Sequence, residues 1–274
     1  MKKYTLFFIA IIIIVAGVLF WEKEAKTPSS KQAISTSTAD YKNLAYKIGG
    51  KEIKLINGYA ENEIAPGSAS KLITKYFGNE AMGDLTGAGN KDLAFLITQS
   101  GGGSGIFYYV TTAIKTSSGY TGTNAILLGD RIAPQTTEIR DGKIIVTYAE
   151  RKPDEPMTTP PSIGVSRYFK IKNGLLVEIV GNATYTCKNN KTIKADFYKG
   201  EQISVKPGEM PIPTGSVDLK LNDGRTLTLP QTISASGIRY ANKDESFVFW
   251  SKGNTAFITE NNMETYSNCV TPGN

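Results

Sequence analysis

Histidine is absent from all 274 residues of this chain. Without an imidazole, the chain cannot carry Ser-His or Cys-His nucleophilic catalysis, a His-ligated zinc or haem site, or imidazole acid-base chemistry. No pair of carboxylates suited to general acid-base work can be located either. These absences predict a protein that is not an enzyme and that uses no cofactor.

Positive charge is in only slight excess, because 31 Lys and Arg oppose 25 Asp and Glu. The cations are scattered along the chain, whereas a nucleic-acid-binding surface needs them clustered on one face. The sequence therefore predicts no nucleic-acid partner. Hydrophobic residues make up 40% of the chain and charged residues 20%, a balance that is typical of a chain that folds over most of its length.

The chain has one long hydrophobic run, from Leu6 to Trp21, and two lysines precede it. As a helix the run would span about 24 Å, near the ~30 Å of a hydrocarbon core. No small-x-small cleavage site follows it, and the lysines place the N-terminus in the cytoplasm. We therefore predict a signal anchor with a transmembrane helix at residues 1–24. A cleaved signal peptide is the alternative.

The Ser/Thr/Lys-rich stretch after this run predicts a flexible tether at residues 25–40. Together the two segments predict a single-pass protein of the bacterial cell membrane, anchored through its N-terminal helix. The remainder of the chain is then extracytoplasmic, in the periplasm or at the cell surface.

Turn dipeptides divide the rest of the chain into short apolar runs, as strands joined by hairpins require. They include Gly49-Gly50, Asp141-Gly142, Asn173-Gly174 and Asp223-Gly224. Apolar and polar residues alternate between them, and only residues 70–78 favour one or two turns of helix. The pattern predicts an all-β fold, with a β-rich domain of unknown role at 41–181 and a second domain at 182–274.

A glycine-rich segment from Asp84 to Asp92 resembles a calcium-binding loop and precedes an apolar strand. Asp84, Asn90 and Asp92 are its candidate ligands, but Thr86 and Ala88 stand where a calcium loop has further oxygen ligands. We therefore interpret the segment as a plain turn and predict no metal site, with these three residues as a weak calcium candidate.

The two cysteines, Cys187 and Cys269, lie near the two ends of the second domain. Outside the membrane such a pair is most often a structural disulfide. A loop of about 80 residues would remove about 4 kcal/mol of entropy from the denatured state. We predict one intramolecular bridge. A free redox pair is the alternative, although the spacing is unlike C-x-x-C.

Five motifs follow one another through the second domain. They are Y-x-C at 185–187, D-G-R-x-L-x-L-P at 223–230, S-G-x-R-Y at 236–240, W-S-K-G at 250–253 and Y-x-x-C-V at 266–270. In this order they resemble the MliC/PliC family, the membrane-bound and periplasmic inhibitors of c-type lysozyme. The resemblance implies a small antiparallel β-barrel of about eight strands, closed by the Cys187–Cys269 bridge.

The resemblance also implies where a lysozyme would bind. In the family, a Ser and a Lys from two loops enter the lysozyme cleft and meet its catalytic carboxylates. The corresponding lysozyme-binding residues here are Ser236, Gly237, Arg239, Tyr240, Lys252 and Gly253. Trp250 is interpreted as a core aromatic residue.

The segment between Tyr240 and Phe249 is about two residues longer than the family pattern. The extra length predicts an extended hairpin tip around residues 243–245. The alternative is a shifted strand register, which would turn Lys252 to the wrong side.

The leading functional hypothesis is a membrane-tethered, extracytoplasmic inhibitor whose partner is c-type lysozyme. In this hypothesis Ser236 and Lys252 insert into the active-site cleft of the enzyme. The alternative is a structural or adhesive surface protein in which a barrel of this family has been co-opted.

Overall fold

The computed structural model describes residues 40–200 and 213–272, and strands make up nearly all of its regular structure. The strands in chain order are β1 (Ala45–Ile48), β2 (Lys51–Lys54), β3 (Tyr59–Glu63), β4 (Lys71–Gly83), β5 (Asp92–Ser100), β6 (Phe107–Thr116), β7 (Gly119–Gly122), β8 (Asn124–Asp130), β9 (Ala133–Arg140), β10 (Lys143–Glu150), β11 (Ile163–Lys172), β12 (Leu175–Thr186), β13 (Thr192–Tyr198), β14 (Ser216–Leu221), β15 (Thr226–Thr232), β16 (Ile238–Ala241), β17 (Phe247–Lys252), β18 (Thr255–Glu260) and β19 (Met263–Val270). Two 3-10 turns, Tyr41–Asn43 and Lys188–Asn190, are the helical elements of the described residues.

The predicted fold class is wrong in one component, the transmembrane helix. No helix among the described residues is long and apolar enough to cross a membrane. The predicted helix at 1–24 and nearly all of the predicted tether at 25–40 lie outside the described residues. Where the structure describes the chain, apolar residues come in short alternating runs, and that period buries one face of a strand rather than a whole helix.

The short helix predicted over residues 70–78 is wrong as well. Residues 71–78 of this segment belong to β4, which pairs with β3 on one side and β5 on the other. Strand β3 pairs with residues 71–75 and β5 pairs with β4 from Ile73 to Gly83, so strand neighbours bind the backbone of this segment. This tertiary context overrides a weak local helical pattern.

The first part of the chain folds into an eight-stranded sheet. Its order is β2-β1-β8-β6-β5-β4-β3, with β7 paired to β6, and only the β1–β8 pair is parallel. Strand β5 lies inside the sheet and is buried on both faces. Phe95 and Ile97 pack into one cluster of side chains, whereas Ala94 and Leu96 pack into another. The near-continuous apolar run of β5 is what burial on both faces requires.

The last part of the chain forms a closed antiparallel barrel of eight strands, β12 to β19. Each strand pairs with the next in sequence, and β12 pairs with both β13 and β19 to close the ring. Val217, Leu219 and Leu221 of β14 point into its core together with Phe249 and Ile258. The alternation of apolar and polar residues in β14 is therefore the alternation of inside and outside.

The closure of the barrel is short and is reinforced covalently. Strands β12 and β19 share a single residue pair, Thr186 with Val270. The disulfide between Cys187 and Cys269 lies directly beside this pair, and both cysteines are buried. The predicted intramolecular bridge is confirmed, and it holds the seam of the barrel.

Strand β12 belongs to two structures at once. Its first half continues an antiparallel meander, β9 to β12, and its second half is the first strand of the barrel. The meander packs on the eight-stranded sheet, with Val146, Phe169 and Leu176 against Leu96 and Val110. The sequence predicts a boundary between two domains at residues 181 and 182. Both residues lie inside this one strand.

A polar cluster also joins the meander to the barrel. Asp218 of β14 accepts hydrogen bonds from Lys172 Nζ (2.5 Å) and Lys170 Nζ (3.2 Å), both on β11. It also accepts from Tyr198 Oη and Thr228 Oγ1 within the barrel. Burial would raise the pKa of Asp218, but these donors outweigh it and lower the pKa to about 2.

We expect Asp218→Asn to reduce the free energy of unfolding by about 2 kcal/mol at pH 7. The pKa of the Asp218 carboxyl is about 2 in the folded chain and ~3.9 in the unfolded chain. Its contribution is therefore complete above about pH 4 and is lost as pH falls toward 2. Urea unfolding of parent and variant between pH 7 and pH 2 measures the difference. Glu264→Gln, at an exposed carboxylate, is the control, and a difference that does not shrink with acid contradicts the prediction.

Candidate functional site

The two loops that carry the predicted site residues lie side by side at one end of the barrel. Strands β16 and β17 are antiparallel neighbours, and Ile238 pairs with Ser251. The loop that precedes β16 therefore meets the turn that follows β17. The indole Nε1–H of Trp250 donates a hydrogen bond to the carbonyl oxygen of Ser236 (2.9 Å) and ties the first loop to β17.

Gly237 permits the closest approach between these loops. Its φ is +69°, and a Cβ added there would lie 2.6 Å from both the carbonyl oxygen of Ser251 and Nε1 of Trp250. The same Cβ would lie 3.1 Å from Cβ of Lys252. Only glycine combines this backbone conformation with this lack of space. The packing of Gly237 therefore brings the Ser236 loop next to Lys252.

We expect Gly237→Ala to push this loop away from β17 and to break the Trp250–Ser236 hydrogen bond. Tryptophan emission should then move to longer wavelength as the indole gains solvent, measured in a Trp21→Phe background in which Trp250 is the only tryptophan. Gly253→Ala is the matched control, because Gly253 also has a positive φ but open space around its Cβ position. Equal spectra for the two variants would show that backbone strain, and not the close packing, governs the loop.

The longer segment between Tyr240 and Phe249 does not shift the strands. The two residues remain paired with each other, and the additional residues form the hairpin turn between β16 and β17. Within that turn, the N–H of Glu245 donates to the carbonyl oxygen of Asn242 (3.1 Å). Lys252 is exposed as a result.

Arg239 and Tyr240 have structural partners. Arg239 Nη2 lies 2.8 Å from Glu245 Oε2, and its Nη1 donates to Thr232 Oγ1. The hydrogen bond from Arg239 lowers the pKa of the Glu245 carboxyl. Tyr240 is 3% exposed and stacks on Phe249 in the core. The ring of Tyr240 therefore supports the loop from inside the barrel, and its direct contact with lysozyme stays a prediction.

Trp250 is also placed differently from its interpretation as a core residue. Its side chain is half-buried, packs against Phe257 and holds the Ser236 loop. Its position directly before Ser251 and Lys252 is the sequence signal that could have indicated this role.

A cleft of about 890 Å³ adjoins the two loops. Residues 180–185 of β12 contribute to its lining, as do Gly237, Ile238 and residues 251–254. Among the described residues that line it, Lys252 is the one charged residue, and none is Asp or Glu. Within the part of the chain that the structure describes, the Lys252 ammonium has no hydrogen-bond or ion-pair partner. The cleft can therefore offer an uncommitted cation with three N–H donors to an anionic group.

The weak calcium candidate is organised as a turn between β4 and β5. Asp84 accepts backbone N–H groups of Thr86, Gly87 and Gly89, and the bond from Gly89 contributes most to lowering the pKa of Asp84. Asp92 is buried, and its two oxygens accept the backbone N–H groups of two further residues.

These contacts direct the two carboxylates toward backbone donors rather than toward one another, and Asn90 lies exposed between them. Among residues 40–200 and 213–272, no group of three or more Cys, Asp or Glu is arranged to hold a metal ion.

Known proteins resemble the barrel part of the chain. The model of the family of membrane-bound lysozyme inhibitors of c-type lysozyme, MliC, matches residues 185–266. A membrane-bound lysozyme inhibitor of C-type lysozyme from Yersinia enterocolitica is 47% identical over 47 residues, which are 17% of this chain and 38% of that protein. The match thus spans well under two thirds of the length of that relative.

Among solved structures, a mannose phosphorylase from Leishmania mexicana in complex with phosphate ion aligns over 84% of this chain and 87% of its own. The identity is 8% and the TM-score is 0.20. A likeness at that score carries no argument about fold or function. The sequence matches and the motif order agree, so the C-terminal part of this chain resembles the MliC family of membrane-bound inhibitors of c-type lysozyme.

Proposed function

We propose that this chain inhibits c-type lysozyme on the extracytoplasmic side of the bacterial envelope, with Ser236 and Lys252 entering the active-site cleft of the enzyme. The observation that carries the proposal is the uncommitted ammonium of Lys252, which is exposed beside the Ser236 loop, with no Asp or Glu among the described residues that line the cleft.

The chemistry of the target suits these two side chains. A c-type lysozyme cuts glycan with two carboxyl groups in a concave cleft, one protonated general acid and one ionised group. Lys252 can donate to the ionised carboxylate, and the Ser236 hydroxyl can donate to or accept from the other. The two loops that carry these donors form a protrusion, which in the complex fills the part of the lysozyme cleft where the glycan substrate binds.

The rigidity of the two loops supports the same proposal. The Trp250 indole and the close packing of Gly237 hold one loop, and the N–H of Thr271 donates to the carbonyl oxygen of Asn254 (2.9 Å) to brace the other. Loops that are ordered before binding lose little conformational entropy on binding. Such preorganisation favours tight inhibition from a small contact.

Long-range attraction contributes little to this mechanism. Residues 182–274 contain ten Lys and Arg and nine Asp and Glu, so they carry almost no net charge. Affinity must then come from local complementarity around Lys252 rather than from electrostatic steering.

Location on the extracytoplasmic side agrees with the disulfide, because such bonds persist in oxidising compartments. The Yersinia relative is named as a membrane-bound protein. We extend membrane association to this chain as part of the proposal.

A lysis assay tests the proposed function. The purified chain is titrated into c-type lysozyme acting on a bacterial cell suspension, and the fall in turbidity is followed. Lysis should slow with increasing chain and stop near a stoichiometric amount, whereas lysis by detergent should be unaffected. Unchanged lysozyme activity at a large excess would reject inhibition and would favour the structural or adhesive alternative.

A further inference from the structure

Within the described parts of the chain, strand β12 has no neighbouring strand on one side along the middle of its length. On this side, β11 pairs with residues 175–179 and β19 pairs with Thr186 alone. On the other side, β13 pairs with β12 from Ile179 to Thr186. Residues 180–185 therefore have a neighbouring strand on one side only, within the part of the chain that the structure describes.

The open side presents backbone hydrogen-bonding groups. In an antiparallel pair, alternate residues direct their N–H and C=O groups to the partner strand, and the residues between them direct theirs away from it. Among the described residues, no strand pairs with residues 180–185 on the side away from β13, and no turn or loop hydrogen bond reaches their backbone groups. An unpaired edge of this kind is a template for a further strand.

This edge and the Ser236–Lys252 loops belong to the same cleft. Residues 180–185 line it together with Lys252, Gly237 and Ile238. A β-bulge between Ile179 and Gly181 turns Val180 outward, so that 57% of this apolar side chain is exposed beside the cleft. A protein that engages Lys252 thus meets an apolar side chain and an open strand edge on the same surface.

We propose that the open edge of β12, residues 180–185, is a second contact surface for lysozyme, which pairs an extended segment at the rim of its active-site cleft with this edge. The proposal rests on the proposed function and deepens it. Lysozyme is the partner because this edge is continuous with the loops and because Lys252, the one charged residue among the described lining residues, is a cation that attracts a carboxylate-bearing cleft. Residues 180–184 precede the segment matched by the family model, so all of this contact except Tyr185 lies outside that match.

Hydrogen–deuterium exchange of the full chain, free and bound to c-type lysozyme, tests the edge directly. We expect amides in peptides that cover residues 180–186 to exchange about tenfold more slowly in the complex. Peptides that cover 236–238 and 251–254 should be protected as well. The outer edge of β2, at the end of the first sheet, is the internal control and should not change.

Each outcome of this experiment has a separate meaning. Protection of the loops without protection of 180–186 overturns the second contact and leaves the proposed inhibition standing. No protection of either region, together with unimpaired lysozyme activity, rejects both proposals. Protection of both regions supports the second contact.

A substitution provides an independent measurement. Val180→Glu places a charge on the apolar part of this surface and should raise the inhibition constant about tenfold or more. Ile56→Glu is the matched control, because Ile56 is 65% exposed on the first part of the chain and away from the cleft. Equal inhibition constants for the two variants, at unchanged melting temperatures, would overturn the second contact.

Discussion

Lys252→Ala should weaken inhibition of c-type lysozyme by about 2–5 kcal/mol, which is the usual cost of truncating one partner of a buried charge pair. The ammonium of Lys252 has no partner among the described residues, so its removal should cost the fold almost nothing. The loss should therefore appear in the inhibition constant, as a rise of about thirtyfold to several thousandfold. It should leave the melting temperature unchanged.

Two variants make this measurement specific. Lys243→Ala removes an exposed charge from the β16–β17 turn and should change the inhibition constant little. Ser236→Ala removes one hydroxyl and should cost less than Lys252→Ala, about 1–2 kcal/mol, as for a single hydrogen bond. If purified Lys252→Ala inhibits as well as the parent, the insertion mechanism is wrong even though the barrel is right.

Opening the Cys187–Cys269 disulfide should destabilise the chain by about 4 kcal/mol and should also weaken inhibition. The bridge closes a loop with a sequence separation of 82 residues and lies beside the single residue pair that joins β12 to β19. Val270 pairs with Thr255, the first residue of β18, and the N–H of Thr271 donates to Asn254 in the turn between Lys252 and β18. Loosening the end of β19 therefore loosens the loop that carries Lys252.

Urea unfolding measures the first effect and the lysis assay measures the second. The reduced parent compared with the oxidised parent is the best contrast, because neither side chain changes volume. The double variant Cys187→Ala, Cys269→Ala then shows whether the effect persists without added reductant. An inhibition constant that is the same with and without the bridge would mean that the loop does not depend on closure of the barrel.

Much of the barrel can be predicted from the order of its residues. Val217, Leu219 and Leu221 alternate with polar residues, and such alternation specifies a half-buried strand wherever the strand lies. Likewise, the two cysteines near the ends of this part could pair only with each other in one chain. Local periodicity and covalent chemistry do not depend on which strands become neighbours, so they can be predicted from sequence.

Tertiary contacts decided which strands became neighbours. Residues 71–78, where the sequence favours a helix, are part of β4 because β3 and β5 pair with this strand. Tyr240 points into the barrel, whereas Trp250 reaches back to the Ser236 carbonyl, and the letters of their motifs do not distinguish the two.

The same holds for β12 and for the site that adjoins it. Composition and alternation predict a domain boundary near residue 181, but one strand runs through it. Only the pairing of β12 with β11, β13 and β19 shows that, among the described residues, 180–185 have a strand neighbour on one side alone. The alternating pattern, the disulfide and the motif order are properties of the chain. The position of Lys252 beside Gly237 and beside an open strand edge arises because residues far apart in sequence pack together.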